Sequence, residues 1–169
     1  METVYFKGNP CHIYGMLPVA GSKAPHFEFT GVDLSTVDST SYPGKRIVLN
    51  IFPSLDTPVC AASVRRFNAE AGDIKDTVVL CVSMDLPFAM ARFCTLEGLK
   101  NVVPVSAFRS PMFGQNYGVQ FVDGPLKGLL ARAVVVIDAN GKIIYRQLVE
   151  EVTQEPDYEA VLRILKDEF

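Results

Sequence analysis

The chain has 169 residues, of which 49% are apolar and 21% charged, as expected for one soluble globular domain with a full hydrophobic core. The net charge of −3 gives no indication of nucleic-acid binding. We see no apolar run long enough to span a membrane and no signal peptide, which argues against a membrane protein and against a secreted one. We therefore expect a single domain over residues 1–169, located in the cytoplasm, with no nucleic-acid partner and no membrane association.

The first half of the chain predicts strands joined by tight turns. Residues 4–13 predict a β-hairpin that turns at Gly8-Asn9. Residues 27–30 and 34–37 predict a second strand pair. Residues 46–52 predict a buried strand, because the run 47–52 is apolar apart from Asn50.

The second half alternates between strand and helix patterns. Residues 78–83 predict a central parallel strand, and Pro87 opens a helix that Gly98 ends, with Asp85 as its cap. The remaining predicted elements are a strand over 102–108, a short helix over 110–118, strands over 132–137 and 142–148, and an amphipathic helix after 156. This order predicts an α/β fold without an internal repeat.

The segment after the strand 46–52 carries the candidate site. Thr57 suits the N-cap and Pro58 the first position of a helix that ends near Gly72, which places Cys60 in the first turn. Free backbone N–H groups and the positive end of the helix dipole favour a thiolate there, and the thiolate is the nucleophilic form. A lone cysteine in an apolar helix is more often a small buried hydrophobe, so the residues alone leave both interpretations open.

The side chains that follow Cys60 place its sulfur on the inward face of the helix. Val64, Phe67 and Ala71 recur at helical spacing, so the sulfur should lie at the floor of a pocket. Among the other cysteines, Cys81 lies inside an apolar strand pattern, which favours burial in the core. The chain has no C-x-x-C motif and no zinc-binding spacing of Cys and His, so we expect no metal and no cofactor.

The spacing of Pro53, Thr57 and Cys60 resembles the Pro-x-x-x-Thr-x-x-Cys signature of the peroxiredoxins, thiol enzymes that reduce hydroperoxides. Nearly the full chain is similar to the bacterial thiol peroxidases, which are atypical two-cysteine peroxiredoxins. The resemblance implies a thioredoxin-like fold of the peroxiredoxin type with an N-terminal β-hairpin, a homodimer, and reduction by thioredoxin. The segments that carry it are 6–10, 50–65, 85–94 and 124–138.

The resemblance also implies a role for each site residue. Cys60 is the peroxidatic cysteine, which becomes a sulfenic acid, and Cys94 is the resolving cysteine, which then forms an intramolecular disulfide with it. Arg132 supplies a permanent positive charge beside the sulfur. Thr57 hydrogen-bonds the thiolate or the peroxide oxygens, and Pro53 shields the sulfur from water.

Several alternatives remain open from the sequence. Arg132 also suits a surface charge at a strand start, and Cys94 suits a buried helix residue. Cys11 has no role in the family's pattern. Both redox cysteines lie on predicted helices, which rarely allow disulfide geometry, so we expect one or both helix turns to unwind in each cycle.

The substrate and the type of activity also carry alternatives. An apolar rim would suit alkyl or lipid hydroperoxides over hydrogen peroxide, although the same residues also suit the core or a dimer interface. The chain could instead be a peroxide-sensing redox switch that binds a partner, or a structural protein with inert cysteines. The candidate rim residues are Phe52, Leu55, Met112, Phe113 and Leu129.

Overall fold

The computed structural model describes residues 1–167 and contains a seven-stranded mixed sheet in the order β10-β9-β5-β6-β7-β3-β4. The central strands β5, β6 and β7 are parallel, and the strands on either side of them pair antiparallel. The strands of this sheet are β3 (Glu28–Gly31), β4 (Thr36–Asp38), β5 (Arg46–Ile51), β6 (Thr77–Ser83), β7 (Val103–Ser106), β9 (Ala133–Ile137) and β10 (Ile143–Leu148).

A second, three-stranded sheet contains the N-terminal hairpin, in the order β1-β2-β8. Its strands are β1 (Glu2–Phe6), β2 (Asn9–Tyr14) and β8 (Gln120–Phe121). The hairpin prediction is confirmed, but Phe6 pairs with Asn9, so the turn is Lys7-Gly8, one residue earlier than predicted. Lys7 and Gly8 have φ angles of 53° and 81°, the left-handed conformation that a tight two-residue hairpin turn requires at both central positions.

Within residues 1–167, four helices complete the fold. They are α1 (Pro58–Glu70), α2 (Pro87–Glu97), α3 (Phe113–Asn116) and α4 (Tyr158–Asp167). The predicted starts of α1 and α2 at proline are confirmed, and Gly98 ends α2 in the left-handed conformation. Asp85 is not the cap of α2, because Leu86 occupies that position and the Asp85 carboxylate is engaged elsewhere.

The large sheet is buried on both faces. Alternate residues of a strand point to opposite faces, so Leu49 of β5 belongs to one hydrophobic core and Val48 to the other. The hairpin and α3 contribute to the first core, while α1, α2 and α4 contribute to the second. All six residues of β5 are buried, including the polar Arg46 and Asn50, as the largely apolar pattern of this strand predicts.

The connections that leave β5 and β6 meet at one edge of the sheet. These strands are parallel, so their carboxyl ends lie side by side. The segment between β5 and α1 and the segment between β6 and α2 therefore run next to each other. This edge holds Cys60.

Candidate active site

Cys60 is the third residue of α1 and is fully buried. Thr57 is the N-cap with an extended backbone (φ −104°, ψ 145°), and its carbonyl accepts a hydrogen bond from Ala61 N–H at 3.0 Å. The Thr57 hydroxyl does not cap the helix; it donates to the carbonyl of Ser54 at 3.0 Å. Within the described chain, α1 therefore has no side-chain cap, and its first N–H groups face the region around Cys60.

Arg132 lies directly beside the sulfur. Its Nη2 donates to Cys60 Sγ at 3.3 Å, and its Nε donates to the carbonyl of Val152 at 2.8 Å. The side chain is only 2% exposed, which excludes the surface-charge interpretation. Its Nη1 is buried and has no hydrogen-bond partner among residues 1–167, so one strong donor stays available for a small ligand.

A pocket of about 230 Å³ opens above this pair. Its walls are mostly apolar, and Arg132 is one of the polar residues that line it. Pro53 and Thr57 are among its lining residues, whereas Cys60, which the sequence placed at the floor of a pocket, is not and contacts the lining residue Arg132 instead. The lining residues are Phe6, Lys7, Pro53, Thr57, Pro58, Val59, Leu126, Arg132, Val152 and Thr153.

This lining differs from the rim that the sequence suggested. Phe52 and Leu55 are buried in the core that contains Cys60, and Phe113 is buried in the core on the opposite face of the sheet. Met112 is exposed and borders a separate pocket beside α3, and Leu129 is half-buried outside the active-site lining. For Phe52, Leu55 and Phe113 the alternative of a core position is correct, because an apolar residue type suits a pocket wall and a core equally well.

The tip of the hairpin forms one wall of the pocket. Tyr5 N–H donates to the carbonyl of Glu150 at 2.7 Å, and Val152 N–H donates to the carbonyl of Tyr5 at 2.8 Å. The Glu151 carboxylate accepts hydrogen bonds from the N–H of Thr153 at 2.9 Å and of Gly8 at 2.8 Å. These bonds lower the pKa of Glu151 to about 2. The hairpin is thus fixed to the same segment that holds Arg132.

The other side of the Cys60 loop is held by Asp85. Its Oδ1 accepts a hydrogen bond from the Ser54 hydroxyl at 2.8 Å, and its Oδ2 accepts one from Leu55 N–H at 2.8 Å. The Ser83 hydroxyl donates to Oδ2 at 2.6 Å. This arrangement explains why Asp85 does not cap α2.

Cys94 lies on α2 and opens to a different cavity. It is half-buried, and burial raises the pKa of its thiol. It lines a groove of about 430 Å³ next to β4 and β7, whereas the pocket above Cys60 lies at the hairpin tip. All four cysteines are free thiols. The structure therefore represents a conformation in which Cys60 and Cys94 have separate surroundings.

Cys11 and Cys81 are both buried in the hydrophobic cores. Burial raises the pKa of Cys81 to about 12 and also raises that of Cys11, so neither favours a thiolate. No cluster of His, Cys, Asp and Glu within residues 1–167 has the arrangement of a metal site. None of the described helices is long and apolar enough to span a membrane.

Comparison with known proteins agrees with this geometry. The family model described as Redoxin matches residues 19–162. The thiol peroxidase of Corynebacterium glutamicum is 51% identical over 165 residues, 98% of this chain and 99% of that protein. The thiol peroxidase of Mycobacterium bovis is 53% identical over 165 residues, with the same coverage.

Solved structures of peroxiredoxin-type proteins are also similar to this chain. A peroxiredoxin-like protein from Aquifex aeolicus matches with a TM-score of 0.94 and 40% identity, covering 100% of this chain and 98% of that one. A thiol peroxidase from Chromobacterium violaceum matches with a TM-score of 0.88 over 98% of this chain and 96% of its own, but its 20% identity bears on the fold alone. The predicted thioredoxin-like fold of the peroxiredoxin type is confirmed. The chain belongs to the redoxin family, as a thiol peroxidase of the peroxiredoxin type.

Proposed function

We propose that Cys60 is the peroxidatic cysteine and reduces hydroperoxides by direct attack. The observation that carries this proposal is the 3.3 Å contact between its sulfur and Arg132 beneath an open pocket. The thiolate attacks the terminal peroxide oxygen and the O–O bond breaks. Cys60 becomes a sulfenic acid, and the remaining oxygen leaves as an alkoxide or hydroxide that takes up a proton.

Three neighbours of Cys60 have distinct roles in this step. Arg132 Nη2 stabilises the thiolate, and the unpartnered Nη1 donates to a peroxide oxygen and to the charge that develops on it. The Thr57 hydroxyl exchanges its bond with the Ser54 carbonyl for one to the peroxide. Pro53 covers the sulfur from the loop side and keeps water out.

Cys94 is the resolving cysteine in this proposal. Its thiol attacks the Cys60 sulfenic acid, the S–S bond forms, and the hydroxyl leaves as water. Cys60 is fully buried beside Arg132, whereas Cys94 lines a separate groove, so the first turn of α1, part of α2, or both must unwind before the bond forms. Thioredoxin, as the dithiol reductant, then reduces the intramolecular disulfide and restores both thiols.

The pocket supports a preference for organic hydroperoxides. Phe6, Leu126 and Val152 form a largely apolar wall, and a volume of about 230 Å³ accommodates an organic substituent next to the peroxide group. A bulky apolar tail would gain contacts that hydrogen peroxide cannot make. We therefore propose alkyl or lipid hydroperoxides as the preferred substrates and hydrogen peroxide as a poorer one.

We further propose a cytoplasmic homodimer in which residues 1–169 form one domain. Leu86 and Phe88 at the start of α2 are 50% and 69% exposed, and Phe108 beside them is 39% exposed. Phe108 N–H donates to the Ser106 hydroxyl, which in turn donates to the Asp85 carbonyl, so the backbone at Phe108 lies close to the start of α2. An apolar patch of this kind suits a second copy of the chain.

A coupled assay tests the proposal and separates it from a redox switch. Peroxide, thioredoxin, thioredoxin reductase and NADPH are mixed with the protein, and NADPH oxidation is followed. Sustained turnover supports the enzyme, whereas oxidation of one equivalent that then stops indicates the switch. Cys60→Ser should abolish peroxide reduction, because neither Cys11 nor Cys81 favours a thiolate.

The resolving role is tested with Cys94→Ser, with Cys81→Ser as the matched control. Cys94→Ser should react once with peroxide, stop as a sulfenic acid and lose thioredoxin-linked turnover. Cys81→Ser should keep turnover and lose some stability, because it places a hydroxyl in the core. Mass spectrometry should find Cys60 linked to Cys94 within one chain. A Cys60–Cys81 or intersubunit linkage would overturn the assignment.

A further inference from the structure

We propose that Asp85 is a positioning residue that latches the Cys60 loop, residues 53–57, to the start of α2, the helix that carries Cys94. The latch holds the loop in the conformation that reacts with peroxide, and its opening permits disulfide formation. This inference rests on the proposed roles of Cys60 and Cys94. It assigns to Asp85 an influence on the relative rates of peroxide attack and disulfide formation.

The loop has few other ties to the sheet. The β5–β6 ladder continues as far as Phe52, whose N–H donates to the carbonyl of Val82 at 3.0 Å. Beyond Phe52, two hydrogen bonds within the described chain join residues 53–57 to the β6–α2 segment. Both are accepted by the Asp85 carboxylate. The side chain of Leu55 adds an apolar anchor in the core.

The hydrogen bonds within the loop all involve Ser54. The Ser54 carbonyl accepts hydrogen bonds from the hydroxyl of Thr57 at 3.0 Å and from its N–H at 3.2 Å. Ser54 Oγ accepts one from Asp56 N–H at 3.1 Å and donates to Asp85. The carboxylate is therefore connected to Thr57, the N-cap of α1, through one intervening residue.

Asp85 itself is fixed to the sheet. Its N–H donates to Ser83 Oγ at 3.2 Å, and the Ser83 hydroxyl donates back to its carboxylate. The Ser106 hydroxyl of β7 donates to its carbonyl. Contacts with β6 and β7 thus hold the Asp85 carboxylate in place. If the latch opens, the Cys60 loop is therefore the part that moves.

Loss of the latch should separate the two chemical steps. Peroxide attack needs Thr57, Cys60 and Arg132 in the closed arrangement, whereas disulfide formation needs Cys60 out of its buried position. Removing a hydrogen bond to a charged acceptor increases the open population by about tenfold. While the closed state still dominates, the peroxide step stays within about twofold of wild type and the disulfide step becomes about tenfold faster.

The test uses Asp85→Ala and Asp85→Asn, with Asp38→Ala as the matched control. Asp38 also accepts hydrogen bonds from a backbone N–H and a hydroxyl, both from Thr40, at 2.8 and 2.6 Å, but it lies on β4. Hydrogen exchange of residues 53–60 is measured in the reduced protein. The peroxide step and disulfide formation are then followed by rapid quench after one equivalent of cumene hydroperoxide.

We expect Asp85→Ala to increase exchange of residues 53–60 and the disulfide rate by about tenfold, with Asp85→Asn giving about threefold because one oxygen remains as an acceptor. Asp38→Ala should leave both unchanged. Ser54→Ala should act through the same contact, so its effect should be largely lost when Asp85→Ala is already present.

Two results would overturn the proposal that Asp85 latches the Cys60 loop. One is unchanged exchange and disulfide rate in Asp85→Asn, which also decides the case if Asp85→Ala does not fold. The other is full additivity of Ser54→Ala and Asp85→Ala. The exchange measurement needs no peroxide, so it tests the latch even if Cys60 proves not to be peroxidatic. Conversely, a failed peroxide reaction with altered exchange would reject the proposed function and keep the latch.

Discussion

Removal of the Arg132 guanidinium should greatly reduce the reactivity of Cys60. The two groups are 3.3 Å apart and fully buried. At an effective dielectric constant of about 20, a charge pair at that distance is worth about 5 kcal/mol before desolvation is subtracted. If desolvation offsets about half of that energy, the remaining ~2.7 kcal/mol corresponds to a rate about a hundredfold lower.

The assay for Arg132→Ala is the rate of Cys60 alkylation by iodoacetamide at pH 7, with the single-turnover rate of peroxide reduction beside it. Both rates should fall by about a hundredfold, and Arg132→Lys should recover part of the loss because the charge remains without the fork of donors. Arg46→Ala is the control, since Arg46 is also buried but bonds to Leu165 and Thr77. Arg132→Ala rates within about twofold of wild type would refute the reasoning.

Three further outcomes follow from the site. Thr57→Val should cost about 1 kcal/mol in urea unfolding, because the hydroxyl donates to a loop carbonyl, but should slow peroxide reduction by more than tenfold; full activity would make Thr57 only structural. Leu126→Asn should lower kcat/KM for cumene hydroperoxide several-fold and leave hydrogen peroxide nearly unaffected; equal losses would reject the apolar wall. Glu151→Gln should destabilise the hairpin at neutral pH. Because folding lowers the Glu151 pKa from 4.5 to about 2, this carboxylate stabilises the fold above pH 4.5 and ceases to do so as the pH falls through 2. The difference in unfolding free energy between Glu151→Gln and wild type should therefore shrink across that interval, and a constant difference would contradict it.

Local signals made much of this fold predictable from the sequence. Pro58 and Pro87 mark the starts of α1 and α2 because a proline at the first helical position loses no hydrogen bond. The largely apolar sequences of β5 and β6 identify central strands because both faces of the sheet are covered. By contrast, β8 has only two residues and pairs with β2 across more than one hundred positions of sequence, so it leaves no local pattern.

The site itself was predictable only where the chemistry is local. The position of Cys60 in the first turn of α1 follows from its neighbours, and the contact with Arg132 agrees with the family resemblance. The wall formed by Phe6 and Val152 depends on the docking of the hairpin onto a distant segment, which no spacing reveals. Asp85 looked like a helix cap because it precedes Pro87, yet a carboxylate accepts whichever donors the tertiary fold brings closest.

In the proposed cycle, the contact between Cys60 and Arg132 belongs to the buried state of Cys60, so it must weaken before the bond to Cys94 forms. Oxidation itself can do this, because a neutral sulfenic acid lacks the charge that attracts Arg132. In a Cys94→Ser background, one equivalent of peroxide should therefore increase hydrogen exchange in the first turn of α1 relative to the reduced protein. Adding Arg132→Ala should abolish most of that difference, because no charge pair remains to be lost. Equal or slower exchange after oxidation would show that the opening of α1 is controlled by another contact.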